Sequence, residues 1–460
     1  MKRILIQETP SYKGKSIVVK GWVNNRRDHG KLIFIDLRDR SGILQIVFSA
    51  MAQKTAFATA ATLKNEFVVV VTGLVKLRAK SNINPELPTG TIELQASKIE
   101  ILNEATTPVF EISKAHETNE ELRMQYRYLD MRSQQLKNNL MMRHKIVKLI
   151  RDDLDAQGFW EIETPYLTKG TPEGAREFIV PARLSPGKFY VLPQSPQQFK
   201  QLLMVGGIEK YFQFARCFRD EDTRGDRQAE FTQLDIEMSF VEAEDVINVN
   251  EKLLIDIVKK LYPEKKIQTI PFPRLTFKET MAKYGTDKPD LRKDKTDPNL
   301  LAFCWIDEFP MFEKNDRGWT FTHNPFSAPI KEHQSWLTEK KNIGQIIASQ
   351  YDIVFNGYEL GGGSIRTHRS ADLRNVLEII GNSEQQIKDN FGTIIQALDF
   401  GAPPHGGIAW GLDRLVMVLQ NEPSIRDVMA FPKTGDCRDL LMDAPSKLSA
   451  KTLKDAGLTK

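Results

Sequence analysis

Between residues 16 and 104, apolar residues gather in five short runs separated by turns, with polar positions alternating among them most clearly in the second: SIVVKGWV, LIFIDLRD, GILQIVFS, FVVVVTGLVKL and GTIELQASKIEIL. Alternation of this kind, rich in Val, Ile and Phe and interrupted by turn residues, predicts β-strands with one buried face. The stretch AMAQKTAFATAATLKN, between the third and fourth runs, reads as a helix. In LIFIDLRD the period puts Ile33, Ile35 and Leu37 on one face, and Phe34, Asp36 and Arg38 on the other.

Five strands with a helix after the third are the plan of an OB-fold barrel, whose face holds oligonucleotides. An aromatic among charges on an outward face is a candidate stacking platform for an unpaired base. The plainer reading of Phe34 packs it beneath a loop.

After residue 104 the pattern changes. Residues 105–135 are polar, include Pro108 and end in alternating aromatics and arginines, and 109–135 read as a hinge between a first domain at 1–108 and a second at 136–460. From about 136, Leu140, Ile146, Leu149, Ile150 and Leu154 recur at helical spacing until Gly158. Strand-like GFWEIETPYLT follows, then strand and helix segments in alternation, closing with glycines that open an apolar helix in HGGIAWGLDRLVMVLQ. Because strand segments often follow one another directly, an α+β domain on an antiparallel sheet is expected.

A chain of 460 residues exceeds one ordinary core, in line with two domains. With 41% hydrophobic and 27% charged residues it has a globular composition. Residues 1–108 hold 16 Lys and Arg against 9 Asp and Glu, a net of +7; the whole chain is at +4, so the remainder carries −3. A basic small domain beside a mildly acidic large one fits a polyanion held by the first, or simply a well-solvated surface. No apolar run approaches the roughly 20 residues of a membrane span, and MKRILIQETP lacks the pattern of a signal peptide. Cys217, Cys304 and Cys437 lie far apart. A cytoplasmic protein without disulfides, structural zinc or a membrane partner is expected.

From Arg216 to Arg227, four arginines and four acids fall in twelve positions between apolar segments. A solvated hairpin and a grip for a highly charged ligand both look like this. Taken in order with GFWEIETPYLT and GIAWGLDRL, the segment FRDEDTRGDRQAEF resembles the three signature motifs of class II aminoacyl-tRNA synthetases. Neither HIGH nor KMSKS, marks of the other class, occurs. QSPQQFKQLLM, GTDKPDLR, YDIVFNGYELGGGSIR and GAPPHGGIAWGLDRLVMV narrow the resemblance to aspartyl-tRNA synthetases of the bacterial type, over nearly the whole chain.

The resemblance implies joining of L-aspartate to tRNA-Asp through an aspartyl-adenylate, with ATP as substrate, Mg²⁺ as cofactor and a homodimer as the working form. By resemblance, Arg219 bridges the amino-acid carboxylate and the α-phosphate, and Arg414 clamps the γ-phosphate. Asp220, Glu221, Gln228, Gly411, Leu412 and Asp413 accompany them at ATP. Glu359 and Asp352 hold Mg²⁺, or else pair with neighbouring arginines. Arg366 and Lys200 meet the side-chain carboxylate of aspartate and Glu173 its ammonium, with Ser195, Gln197 and Asp235 completing the pocket. His323 approaches the substrate, and Asn324 stands where the family usually has a second histidine. In the barrel, Phe34 stacks on the middle anticodon base, Arg27 and Gln45 clamp its neighbours, and Arg26 meets phosphate.

Two departures follow. The family usually carries an inserted domain where this chain runs on directly near 292–300. His29 falls where members that charge both tRNA-Asp and tRNA-Asn have histidine, which implies relaxed discrimination, although the companion position is Ser81 where such members have glycine. The rival readings are an asparaginyl enzyme, against which Lys200 and FRDED speak, and an inactive tRNA-binding paralogue, which would be expected to lose Arg219, Glu359 or Arg414.

Overall fold

The computed structural model describes residues 2–170, 174–316 and 318–458, and the chain divides into two compact units, Met1–Asn119 and Glu120–Lys460. In the first, strands β1 (Ser16–Asp28), β2 (Leu32–Asp39), β3 (Gly42–Ser49), β4 (Val68–Leu77) and β5 (Ile92–Asn103) close a barrel among the described residues in the order β1-β2-β3-β5-β4. Helix α1 (Lys54–Thr62) lies between β3 and β4. Ile33, Ile35 and Leu37 are buried with Ile46, Val69, Val71 and Leu94, so the period-two apolar face becomes the barrel core. Arg38, on the other face, is buried too, because Glu66 Oε2 and Asn24 Oδ1 accept from its guanidinium at 2.6 and 2.5 Å.

The unit boundary falls within the stretch read as a hinge. Helices at Glu120–Gln125 and Arg127–Asp130 belong to the second unit. There the buried Arg127 donates to Ala430, Arg426 and Met429 carbonyls at 3.1, 2.6 and 2.7 Å and pairs with Asp130. The arginines that ended this polar stretch therefore staple it to the C-terminal segment.

The second unit is built on a sheet that, among the described residues, has eight strands. The elements that frame it are helix α2 (Gln134–Ala156), β6 (Trp160–Glu161), helix α3 (Gln197–Val205), β7 (Lys210–Phe218), β8 (Glu230–Ser239), helix α4 (Ala243–Leu261), β9 (Arg274–Thr276), helix α5 (Phe277–Tyr284), β10 (Phe303–Asp307), β11 (Gln350–Phe355), β12 (Tyr358–Ile365), β13 (His405–Gly411) and helix α6 (Leu412–Leu419). The strand order is β9-β10-β11-β12-β13-β8-β7-β6. All pairings are antiparallel except the two outermost, β9 with β10 and β6 with β7.

Alternation then sorts the side chains. Leu234, Ile236 and Met238 of β8 and Ile408 and Trp410 of β13 pack on one face with Ile146, Ile150, Leu253, Ile257 and Leu415 from the helices. Gln233, Asp235 and Glu237 must then face the other side. Helix α2 begins at Ser133, whose hydroxyl accepts from Leu136 N, and ends at Gly158 with φ +82°. Among the described residues no helix is long and apolar enough to cross a membrane.

Candidate functional site

The polar face of the sheet lines a cavity of about 320 Å³. Its floor is charged and buried. Lys200, from α3, is 1% exposed and lies 3.0 Å from Asp235 Oδ1 and 3.3 Å from Glu237 Oε2. Arg366, just beyond β12, donates through Nε and Nη2 to the two Glu237 oxygens at 2.9 and 3.2 Å, and through Nη1 to Ser364 Oγ at 2.8 Å. Gly407 in β13 permits this packing, since a Cβ there would overlap Glu237 Oε2. Behind them His405 Nδ1 donates to the Pro403 carbonyl at 2.7 Å, which leaves Nε2 to accept from Gln201 at 3.1 Å. Burial lowers the His405 pKa, in keeping with a neutral ring.

The two floor acids differ for a physical reason. Burial pushes Asp235 up even with Lys200 beside it. Burial acts on Glu237 as well, but Arg366 and Lys200 together outweigh it and hold that carboxyl below its ordinary value. Asp235 is also left with Oδ2 buried and without a hydrogen-bond partner among the described residues. Ser195 and Gln197 line the same end, with Gln197 Nε2 donating to Gln201 Oε1 at 3.2 Å.

At the other end stand two arginines whose Nε atoms are likewise buried and unpartnered, Arg219 and Arg414. The Arg219 guanidinium lies over the Phe231 ring at 5.1 Å from its centroid. Arg414, in the first turn of α6, donates through Nη1 to the Glu359 carbonyl and through Nη2 to Asp226 Oδ2 at 3.1 Å. Asp413 has both oxygens engaged, by Arg143 Nη1 at 2.6 Å and Thr232 N at 2.9 Å, while Leu412 is part of the core and Gly411 lines the cavity.

Glu359, on β12, pairs with Lys288 at 2.9 Å. Burial raises its pKa, but Lys288 and Arg414 overcome this and keep the carboxyl below the ordinary range. His323 Nε2 sits 3.3 Å from Asp352 Oδ2, and Gln350 Nε2 donates to Asp352 Oδ1 at 2.6 Å. Burial pushes Asp352 up despite His323; it would lower His323, but the bond to Asp352 raises it above the ordinary imidazole value. Among the described residues no group of three His, Cys, Asp or Glu could hold a metal by itself. A divalent cation at Glu359 would need ligand oxygens to complete its shell. At Asp352, where both oxygens are engaged, it would have to displace a present partner.

The charged hairpin between β7 and β8 forms one wall. Glu221 and Gln228 line the cavity, whereas Asp220 is exposed. The tip is tied down: Ile425 N donates to the Gly225 carbonyl at 2.9 Å, Lys433 N to Gln228 Oε1 at 2.8 Å, and Thr223 Oγ1 to the Gly435 carbonyl. Arg227 pairs with Glu221 at 3.4 Å. Thus Ser195, Gln197, Lys200, Arg219, Glu221, Gln228, Asp235, His323, Glu359, Arg366, Gly411, Asp413 and Arg414 share one cavity, with Asp352 bonded to His323 at its edge. Glu173 lies outside the described residues.

In the barrel unit, Arg27 and Phe34 are paired positions of β1 and β2. Arg27 grips Asp36 with two bonds at 2.7 and 3.0 Å and reaches Gln45 Oε1 at 3.3 Å; Gln45 Nε2 then donates to Glu93 Oε2 at 3.1 Å. Phe34 is half-buried, edge-on to the His29 ring at 5.4 Å. Arg26 donates to the Ala61 carbonyl at 2.8 Å. Ser81 lies in the loop between β4 and β5, and His29 in that between β1 and β2. Arg78 Nη2 is buried without a partner among the described residues.

Sequence reasoning missed Glu237, Asp226 and Lys288, each the partner of a residue it did find. Glu237 had a signal: in TQLDIEMSF it shares the polar phase of the alternation with Asp235. The other two pairs depend on contacts across long sequence separations.

The family described as tRNA synthetases class II (D, K and N) matches residues 119–435, and an OB-fold nucleic acid binding domain matches 17–102. The chain is 39% identical to the aspartate–tRNA ligase of Macrococcus caseolyticus, covering 97% of this chain and 96% of that one. It is also 39% identical to the aspartate–tRNA(Asp/Asn) ligase of Thermoanaerobacter pseudethanolicus, over 96% and 95%. The first of these alignments spans 574 positions against a chain of 460 residues, so the relative has more than a hundred residues without a counterpart here. Among solved structures, the asparaginyl-tRNA synthetase of Pyrococcus horikoshii with asparaginyl-adenylate superposes with a TM-score of 0.77 at 22% identity, over 94% of this chain and 98% of that one. The aspartyl-tRNA synthetase of Entamoeba histolytica superposes at 0.75 and 23%, over 94% and 91%. At such identities these two likenesses speak for the fold.

Proposed function

This chain belongs to the class II tRNA synthetases of the D, K and N group and, within it, to the bacterial aspartate–tRNA ligases, and from that membership we propose that its cavity activates L-aspartate with ATP and passes the aspartyl group to tRNA. Class II synthetases use ATP and typically Mg²⁺. The observation that carries the reading is the set of buried atoms in one cavity that have no partner among the described residues: Arg219 Nε and Arg414 Nε at one end, Asp235 Oδ2 at the other. Buried polar atoms are ordinarily satisfied. Two donors at one end and an acceptor at the other suit a ligand with anionic phosphates and a cationic ammonium.

The α-carboxylate of aspartate attacks the α-phosphate, the bond to pyrophosphate breaks, and the mixed anhydride forms. Arg219 neutralises the charge that develops on the α-phosphate. Arg414 holds the distal phosphates in line. Glu359 is the carboxylate suited to Mg²⁺, which when bound would neutralise phosphate charge. The ribose hydroxyl of the tRNA end then attacks the anhydride carbonyl and AMP leaves. Positioning and charge neutralisation supply the catalysis.

Lys200 and Arg366 face the side-chain carboxylate. Both are already pinned by Glu237, so their geometry is fixed before the ligand arrives. Asparagine, a neutral amide, forgoes most of the Coulomb attraction to Lys200. Aspartate-dependent exchange of pyrophosphate into ATP tests this reading, and exchange driven by asparagine in place of aspartate would reject it.

The tRNA assignment rests on the barrel. Phe34 beside Arg27, Asp36 and Gln45 offers a ring and hydrogen-bonding groups to unpaired bases. His29 supports service to both tRNA-Asp and tRNA-Asn, the pair named for the Thermoanaerobacter relative. Charging of purified tRNA-Asn tests it, and absence of product sinks it. We assign the missing stretch to the junction near 292–300. A homodimer is supported by the apolar side chains of Trp160, Tyr166, Leu167 and Ile179, all exposed on this protomer. The reaction is placed in the cytoplasm, where its substrates meet.

A further inference from the structure

We propose that Lys288 is the cation that serves the pyrophosphate half of ATP: it rests on Glu359 in the free enzyme and turns to the β- and γ-phosphate oxygens when Mg²⁺ takes that carboxylate. The proposal deepens the reading above, since it takes ATP as the ligand of this cavity.

Lys288 Nζ lies 2.9 Å from Glu359 Oε2, and Glu359 lines the cavity two residues beyond the β11–β12 turn. The backbone that carries Lys288 is fixed to that turn. Asp290 packs on Gly357, where a Cβ would come within 3.2 Å of the Asp290 Cβ and where φ is +86°. Arg292 holds the Asp290 carboxylate with bonds of 2.8 and 3.0 Å, Gln268 Nε2 donates to the Leu291 carbonyl, and Gln268 Oε1 accepts from Lys293 N. The chain thus keeps the Lys288 stem beside the β11–β12 turn, while its four methylenes let the ammonium turn.

A purely structural pair accounts poorly for this. Both side chains are about one-third exposed, and ion pairs of that kind contribute little to stability. Glu359 is also the acid best suited to the metal. An ammonium and a divalent cation on one carboxylate repel each other, so the lysine leaves when the metal arrives. The nearest large anion is then the triphosphate tail clamped by Arg414, whose carbonyl contact to Glu359 puts it beside the same turn. A flexible point charge suits a tail that must also depart as pyrophosphate.

The test is calorimetry on the full-length protein, wild type, K288M and K288R. The probes are magnesium pyrophosphate, magnesium ATP and AMP. K288M is expected to weaken pyrophosphate and ATP by about tenfold or more and to leave AMP unchanged; K288R is expected to recover most of the pyrophosphate affinity. Unchanged pyrophosphate binding in K288M, a loss shared equally by AMP, or no recovery in K288R each overturns the proposal. Failure of the unsubstituted protein to bind magnesium ATP overturns the reading of the cavity itself.

Discussion

Asp226 Oδ2 lies 3.1 Å from Arg414 Nη2, so the tip of the charged hairpin supplies an anion to the guanidinium assigned to the distal phosphates of ATP. Ile425 N holds the neighbouring Gly225 carbonyl, which fixes the tip in that position. On the function proposed for this cavity, ATP would have to displace this carboxylate before Arg414 could serve it. D226N keeps the shape and removes the charge, so it is expected to tighten ATP about twofold to fivefold, the scale of a partly exposed ion pair. Titration with ATP in the absence of aspartate measures it, and a weakened affinity would show that Asp226 supports the site and does not compete for it.

Glu237 is the keystone of the floor, because it alone bonds both Arg366 and Lys200 among the acids there. E237Q leaves a buried guanidinium without its counter-charge, and a loss of about 3–5 kcal/mol is expected from broken buried pairs. Urea unfolding at pH 7 reads it. Pyrophosphate exchange with aspartate should disappear at the same time, since the two cations lose their fixed geometry.

The acid limb of stability follows from the same pair of carboxylates. Glu237 is held below its ordinary value when folded, so its contribution is present above the unfolded value near about 4.3 and is lost as pH falls through the folded one. Asp235 is raised, so it acts in the opposite sense: its contribution is present below the unfolded value and is lost as pH rises through the folded one. Below about pH 4.3 the wild type should therefore lose stability through Glu237 that E237Q, already without the charge, does not lose. Parallel acid unfolding curves for the two proteins would contradict this.

Much of the fold is legible in the sequence where a local rule governs it. LIFIDLRD and GILQIVFS become strands over the same residues, 32–39 and 42–49, because β-propensity, alternation and turns agree. GFWEIETPYLT reads as a strand of greater length than it has; Trp160 and Glu161 pair with Tyr211 and Phe212 on a sheet edge, Thr168 makes an isolated bridge to Val191, and Pro165 between them has no N–H to continue the ladder. Most of the motif residues named from the sequence share one cavity, since each motif carries several, but the partners of those residues were not legible. Lys200 meets Glu237 across 37 positions, and Arg414 meets Asp226 across 188. Such pairs depend on strand register and loop packing, which composition and period do not encode.

K200M tests selection directly. It removes the buried ammonium between Asp235 and Glu237 while keeping most of its volume. The cost of unpairing a buried charge, about 2–5 kcal/mol, converts to a fall in kcat/KM for aspartate of about 30-fold to several thousand-fold. The informative comparison is with asparagine: discrimination between the two amino acids should shrink, because the term that separates carboxylate from amide is gone. Equal losses for both substrates would mean that Lys200 only supports the fold.

Phe34→Ala separates the two units by function. The ring stands at the position paired with Arg27 and edge-on to His29, and its side chain is only half-buried, so its loss leaves the barrel core of Ile33, Ile35 and Leu37 intact. Stacking of a base on an aromatic ring contributes about 1–3 kcal/mol, so tRNA affinity should fall by about fivefold to a hundredfold. Aspartate-dependent pyrophosphate exchange, which needs no tRNA, should be unchanged, because the cavity is built wholly within Glu120–Lys460. Filter binding and exchange on the same preparation give both numbers. If exchange falls together with tRNA affinity, Phe34 acts through the stability of the barrel; if neither moves, the anticodon lies on another part of its surface.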